Sequence, residues 1–139
     1  MEQEDFLKRQ IDQLGRVLGK LLTALLGFKA QGRISEGIES VDQALKTELG
    51  LNTNDLTLIP AESFLITLLD TKKFSDDNFE ELAEIMFLIA EGLNASDTAD
   101  RKMKKLYERA LIIYEILDET SSTYSFDRHS KIGKIKKML

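Results

Sequence analysis

Catalysis needs side chains that attack, ligate or carry protons, and this sequence supplies few. There is one histidine and no cysteine. His129 stands beside Asp127, Arg128 and Ser130. These residue types occur in nucleophilic triads, but a triad needs three groups converging in space, which adjacency along the chain does not provide. The plain reading is a surface histidine at a helix start. Carboxylates gather at Glu80, Glu81, Glu84 and Glu91. On a helix Glu80 and Glu84 share a face, as do Glu84 and Glu91. A di-iron bundle would need Glu-x-x-His pairs on facing helices, and none is written here, so a solvated acidic face is expected. Gly15-x-x-x-Gly19 lies inside a helical apolar pattern and not after a strand, so it is no phosphate loop. Its expected role is close helix–helix approach. Without cysteine, disulfides, thiol chemistry, zinc knuckles and iron–sulfur sites are excluded. No catalytic, cofactor-binding or metal-ligating residue is assigned, no cofactor is expected, and the chain does not read as an enzyme.

The elements that would position any site are helical. Leu7, Ile11, Leu14, Leu18, Leu21 and Leu25 step by four and three residues along a first helix over about 3–31. Gly32 is its expected left-handed C-cap. A second helix, about 35–49, carries Ile38, Val41, Leu45 and Leu49, with Ser35 as N-cap and Gly50 as terminator. Residues 51–59 read as the one long connection, with Asn52, Thr53, Asn54 and Asp55 as turn residues. Pro60 opens a short third helix to about 72. Ser75 is the expected N-cap of the fourth helix, with Phe74 and Phe79 as a hydrophobic staple. Asn94, Ala95, Ser96 and Asp97 form the next turn, Ser96 or Asp97 capping a fifth helix. That helix bears apolar residues on two sides (Leu106, Tyr107, Ala110 and Leu111, then Ile112, Ile113 and Ile116), the pattern of a helix with partners on both. A last helix covers about 127–138. No segment alternates like a strand. The expected fold is all-α, five or six helices in antiparallel hairpins, in a single domain over 1–139.

The net charge of −5 is unevenly spread. Residues 36–100 hold three basic and fifteen acidic side chains, whereas 128–139 hold five basic and no acidic ones. An acidic middle repels phosphates, so nucleic acid is not an expected partner. The acidic start, Met1-Glu2-Gln3-Glu4-Asp5, does not resemble a secretory leader. The apolar stretch from Val17 to Phe28 contains Lys20 and is too short to span a bilayer. A cytoplasmic location is expected.

Residues Leu21 to Leu49 resemble a tetratricopeptide repeat, a helical hairpin of about 34 residues. Phe28 falls at the late aromatic position, Gly32 at the turn, Gly37 at the small contact position and Ala44-Leu45 at the Ala-Leu pair. Leu21 and Leu25 depart from the motif. A looser unit over 79–117 offers Phe79, Leu82, Ala83 and Ala110-Leu111. The opening Phe6-Leu-Lys-Arg-Gln-Ile and the later Tyr124-Ser-Phe-Asp-Arg also resemble short uncharacterised bacterial all-helical proteins. The resemblance implies tetratricopeptide-like hairpins and a protein partner.

The expected function is therefore a non-enzymatic, intracellular protein-interaction or scaffolding module. The candidate surface is on the first helix: Leu7, Ile11 and Leu14 on the apolar line, Arg9, Arg16 and Lys20 on the polar side. The second helix is too short to cover the front of that stripe. A homodimer is one expected cover, with the third or sixth helix as the intramolecular alternative. The competing reading is a peripheral membrane protein using this basic amphipathic helix. Tyr107 and Tyr114 are expected in the core with their hydroxyls at its rim, and the C-terminal lysines on a solvated face.

Overall fold

The computed structural model describes residues 2–72, 74–95 and 100–139, and their regular structure is all helical. Helix α1 (Glu2–Ala30) is 29 residues, roughly 43 Å at 1.5 Å per residue. It ends in a Schellman motif. Gly32 takes φ 71°, the Arg33 N–H donates to Phe28 O at 2.8 Å, and the Gly32 N–H to Lys29 O at 3.1 Å. Helix α2 (Ile34–Leu49) runs back along it and stops at Gly50, φ 78°. The helix starts one residue before Ser35, so Arg33 is the N-cap in its place and makes no side-chain cap bond. At Gly37 the two helices nearly touch, since a Cβ there would lie 2.6 Å from Phe28 Cβ.

The expected connection over 51–59 contains a helix, α3 (Thr53–Leu58). Asn52 and Asp55 form a capping box: the Asp55 N–H donates to Asn52 Oδ1 at 2.9 Å and the Asn52 N–H to Asp55 Oδ2 at 3.0 Å. Asp42 of α2 anchors this helix by accepting from the Thr53 N–H at 2.9 Å and its hydroxyl at 2.8 Å. A 3₁₀ turn (Ala61–Ser63) follows Pro60 and leads into α4 (Phe64–Lys72). Helix α5 (Asp76–Ala95) starts as its sequence requires. Ser75 Oγ accepts from the Asn78 N–H at 3.2 Å, and the Phe74 and Phe79 rings pack at a tilt with centroids 5.0 Å apart. Helix α6 is Asp100–Thr120. Of the turn expected at 94–97, Asn94 and Ala95 belong to the last turn of α5. Ser96 and Asp97 lie outside the described residues. Ser125 caps α7 (Phe126–Met138) by accepting from the Arg128 N–H at 3.2 Å.

The described residues thus hold seven α-helices, where five or six were expected. Helix α6 has partners on more than one side, as expected, packing against α5, α7, α3 and α4, and α5 is enclosed as well. Every residue from Ile85 to Ala90 is buried, because α1 and α2 pack on one side of α5 and α6 on the other. Helix α6 keeps Ile116 36% exposed and Ile112 half-buried. One cluster of buried side chains draws on α1 to α7.

Candidate functional site

Where α1 meets the start of α5, the glycine pair replaces side chains that would otherwise fill the contact. A Cβ at Gly15 would lie 3.0 Å from Asn78 Oδ1, and one at Gly19 2.9 Å from Glu81 Oε2. The role expected for Gly15-x-x-x-Gly19 is present, but the groups admitted are polar. Asn78 is 2% exposed, and its amide donates to the Ile11 carbonyl of α1 at 3.3 Å. Beside it opens a cleft of about 270 Å³, with Ile11, Asp12 and Arg16 on one wall and Asp77, Asn78 and Glu81 on the other. Burial first, then the charges of Asp77 and Glu84, push the half-buried Glu81 carboxyl above its ordinary pKa. Among the described residues no cation pairs with Glu81. Arg16 lines the same cleft without closing an ion pair.

The candidate residues of the first helix divide. Leu7 is 40% exposed and its neighbour Phe6 58%. Ile11 and Leu14 are half-buried, Leu14 against the core. Their intramolecular neighbour is α5, rather than the third or sixth predicted helix. Arg9, Arg16 and Lys20 are all exposed. Only Ile11 and Arg16 of this set reach the cleft. From Leu14 to Leu25 the apolar stripe is spent on the core, with Leu18 and Leu25 at 0% exposure.

Two of the four carboxylates expected on a solvated face, Glu80 and Glu84, are instead paired with α7. Arg128 Nε donates to Glu80 Oε2 at 3.2 Å, and its Nη1 lies 3.7 Å from Asp118 Oδ1. Lys131 Nζ donates to Glu84 Oε1 and Asp127 Oδ2, both at 2.9 Å. Burial opposes the Lys131 charge, but these two carboxylates outweigh it and hold its pKa above the usual lysine value. Glu91 pairs with Lys29 at 3.5 Å. Arg128 and Lys131 are therefore docking groups, whereas Lys134, Lys136 and Lys137 are exposed. The sequence could not show this, because the partners are 47 and 48 residues apart.

Tyr114 departs from expectation more sharply. It is 0% exposed, and its hydroxyl is buried without a hydrogen-bond partner instead of sitting at a rim. Burial, then the charges of Glu84, Glu80 and Asp127, push the phenol far up, with Arg128 opposing. Tyr107 is buried edge-on to Phe87, with ring centroids 5.8 Å apart, and Tyr124 is 66% exposed. His129 is exposed, its ring 5.6 Å from Tyr124. Asp127 beside it is engaged by Lys131. Among the described residues, no group of three or more His, Asp or Glu is placed to hold a metal ion.

Arg109 was not singled out by sequence. It is 5% exposed and donates to the carbonyls of Ile59 at 3.0 Å and Thr57 at 3.4 Å, with its guanidinium 5.9 Å from the Phe64 ring centroid. It ties the end of α3 to α6, where a cation complements the helix dipole. A charged residue between Leu106 and Ala110 on the apolar line was the available signal.

No family model, curated protein or solved structure matches this chain. Among the described residues no helix is long and apolar enough to cross a membrane.

Proposed function

We propose that this protein is a non-enzymatic interaction module whose docking groove lies between α1 and α5 and receives a Lys or Arg side chain of a partner protein. The observation that carries this reading is the Glu81 carboxylate. It is half-buried, raised in pKa and without an ion-pair partner among the described residues, facing a wall where two glycines leave room. A partly desolvated carboxylate beside two like charges gains most from an incoming cation. Phe6 and Leu7 at the exposed end of α1 offer apolar contact farther along the helix, Leu7 about 12 Å from Gly15. A tetratricopeptide-like hairpin arrangement and a cytoplasmic site of action belong to the same reading. The close approach at Gly37 and the αL turn at Gly32 support the first. The membrane alternative has less support, since Leu18 and Leu25 of the stripe are buried in the core and the large apolar residues of α1 exposed among the described residues are Phe6, Leu7 and the isolated Leu26.

The test is an array of short peptides with and without Lys or Arg, probed with wild type and Glu81→Gln. The expected result is a set of basic peptides bound by wild type and at least fivefold more weakly by the variant. Equal binding by the two proteins would refute the assignment.

A further inference from the structure

Helix α7 lies across the seam between α5 and α6 and is held by few apolar side chains together with two cations. Ile132 and Ile135 are buried and Met138 packs partly buried against the core. Arg128 pairs with Glu80 and Asp118, and Lys131 pairs with Glu84 and lies 5.8 Å from the Phe87 ring centroid. Docking also leaves two buried polar atoms without a hydrogen-bond partner, the Tyr114 hydroxyl of α6 and Arg128 Nη1 of α7. A buried unsatisfied donor is a cost that water would remove on opening. Packing is open at both ends. A cleft of about 430 Å³ lies between Glu80, Leu117 and Arg128, and one of about 290 Å³ between Phe87, Tyr107 and Met138. The connection back to α6 is the short, exposed run Ser121 to Tyr124.

We infer that α7 is a releasable strap, and that the α5–α6 seam beneath it is a docking surface for a basic amphipathic helix of another protein. The kind of partner follows from what now fills the seam. Its floor is aromatic and aliphatic, with Phe87, Tyr107, Tyr114 and Leu117, and its rims carry Glu80, Glu84 and Asp118. A matching helix sets two cations three residues apart and isoleucine or leucine beside them, as Arg128, Lys131, Ile132 and Ile135 do. Such a helix competes with α7 for the same carboxylates. An acceptor for the Tyr114 hydroxyl proton would add what α7 lacks. This surface is distinct from the α1–α5 groove, and its test does not depend on that reading.

The experiment uses the full chain in three forms: wild type, Tyr114→Phe and Ile132→Asp/Ile135→Asp. Hydrogen exchange of wild type should show α7 amides exchanging at least tenfold faster than those of α5 and α6. Tyr114→Phe, which removes one unsatisfied group, should slow α7 exchange severalfold. A labelled synthetic peptide of residues 124–139 should bind the double variant at least tenfold more tightly than wild type. It should lose binding when its Arg128 and Lys131 positions are made Glu. Exchange of α7 only in step with α5 would overturn the proposal, as would faster or unchanged α7 exchange in Tyr114→Phe or equal peptide binding by wild type and double variant. Wild type sedimenting as a dimer with exchanged α7 helices would give the seam to a second copy and overturn the foreign partner.

Discussion

Three helical glycines in different surroundings allow the helix contacts to be tested by a single methyl group. At Gly27 a Cβ meets nothing within 4 Å. Gly27→Ala should therefore show only the helix-propensity gain, about 1 kcal/mol. At Gly92 the nearest atoms are Ile34 Cγ1 at 2.9 Å and Ile38 Cδ1 at 3.0 Å. Ile38 Cδ1 is a chain end that can turn aside, but Ile34 Cγ1 moves only with a stiff β-branched χ1, so the strain should offset the gain and Gly92→Ala should fall between Gly27→Ala and Gly37→Ala. At Gly37 the nearest atom is Phe28 Cβ at 2.6 Å, with Cγ at 2.8 Å behind it. A Cβ is tied to its backbone, so relief requires α1 and α2 to part, by about 0.8 Å to reach the 3.4 Å of ordinary contact. Overpacking of this kind costs ~1–3 kcal/mol, and the propensity gain offsets ~1 kcal/mol of it. Gly37→Ala should lose about 1 kcal/mol and Gly37→Leu more. For a chain of this size that is a Tm lower by roughly 3–4 °C. Urea denaturation should show a lower midpoint at unchanged slope. A Gly37→Ala protein that gains as much stability as Gly27→Ala would refute the close approach of α1 and α2.

Other perturbations follow from the same contacts. Arg109→Ala strands the Thr57 and Ile59 carbonyls, and the loss should be about 3 kcal/mol; Arg109→Met, which keeps the packed stem, should lose less in the same urea titration. Asp42→Ala removes both anchors of Thr53, so limited proteolysis should cut first within residues 50–60 while α5 and α6 stay protected. Glu81 titrates above its ordinary 4.5 in the folded chain, so the folded state binds that proton more tightly than the unfolded one. The destabilising effect of its charge is present at neutral pH, fades as pH falls through the raised folded-state pKa, and is gone below the ordinary value. Glu81→Gln should raise the Tm at pH 7 and leave it nearly unchanged at pH 4; the reverse order would contradict the burial assigned to this carboxyl.

Local signals in this sequence were legible, and non-local ones were not. The Phe74/Phe79 staple, the Ser75 cap and the turns at Gly32 and Gly50 each depend on neighbours within a few residues, and each forms as read. Gly37 was legible because a small residue facing Phe28 across a hairpin needs only local chain reversal. Asn52 and Asp55 were misread as turn residues because the same side chains serve a turn and a capping box. The burial of α5 on all sides was hidden by Glu81, Glu84 and Glu91, which keep one polar line on an otherwise enclosed helix. The acidic face looked solvated because its cations arrive from a helix more than forty residues away. Of the candidate residues, the sequence marks Leu7, Ile11 and Leu14 as the end of an overlong stripe and Arg16 as part of its polar side; the structure places Ile11 and Arg16 at the cleft. Asp77, Asn78 and Glu81, the opposite wall, depend on which helix covers that stripe, and spacing does not encode it.

Docking of partners between α1 and α5 is proposed to rest on Glu81, which has no ion-pair partner among the described residues. Site-specific photo-crosslinking in cells tests it most directly. A photoreactive residue replaces Asp12 on the groove wall, or Glu39 on exposed α2 as control, each in wild type and with Glu81→Lys. A discrete adduct is expected from position 12, absent from position 39 and abolished by Glu81→Lys. The same adduct from both positions, or one that survives the charge reversal, would contradict it.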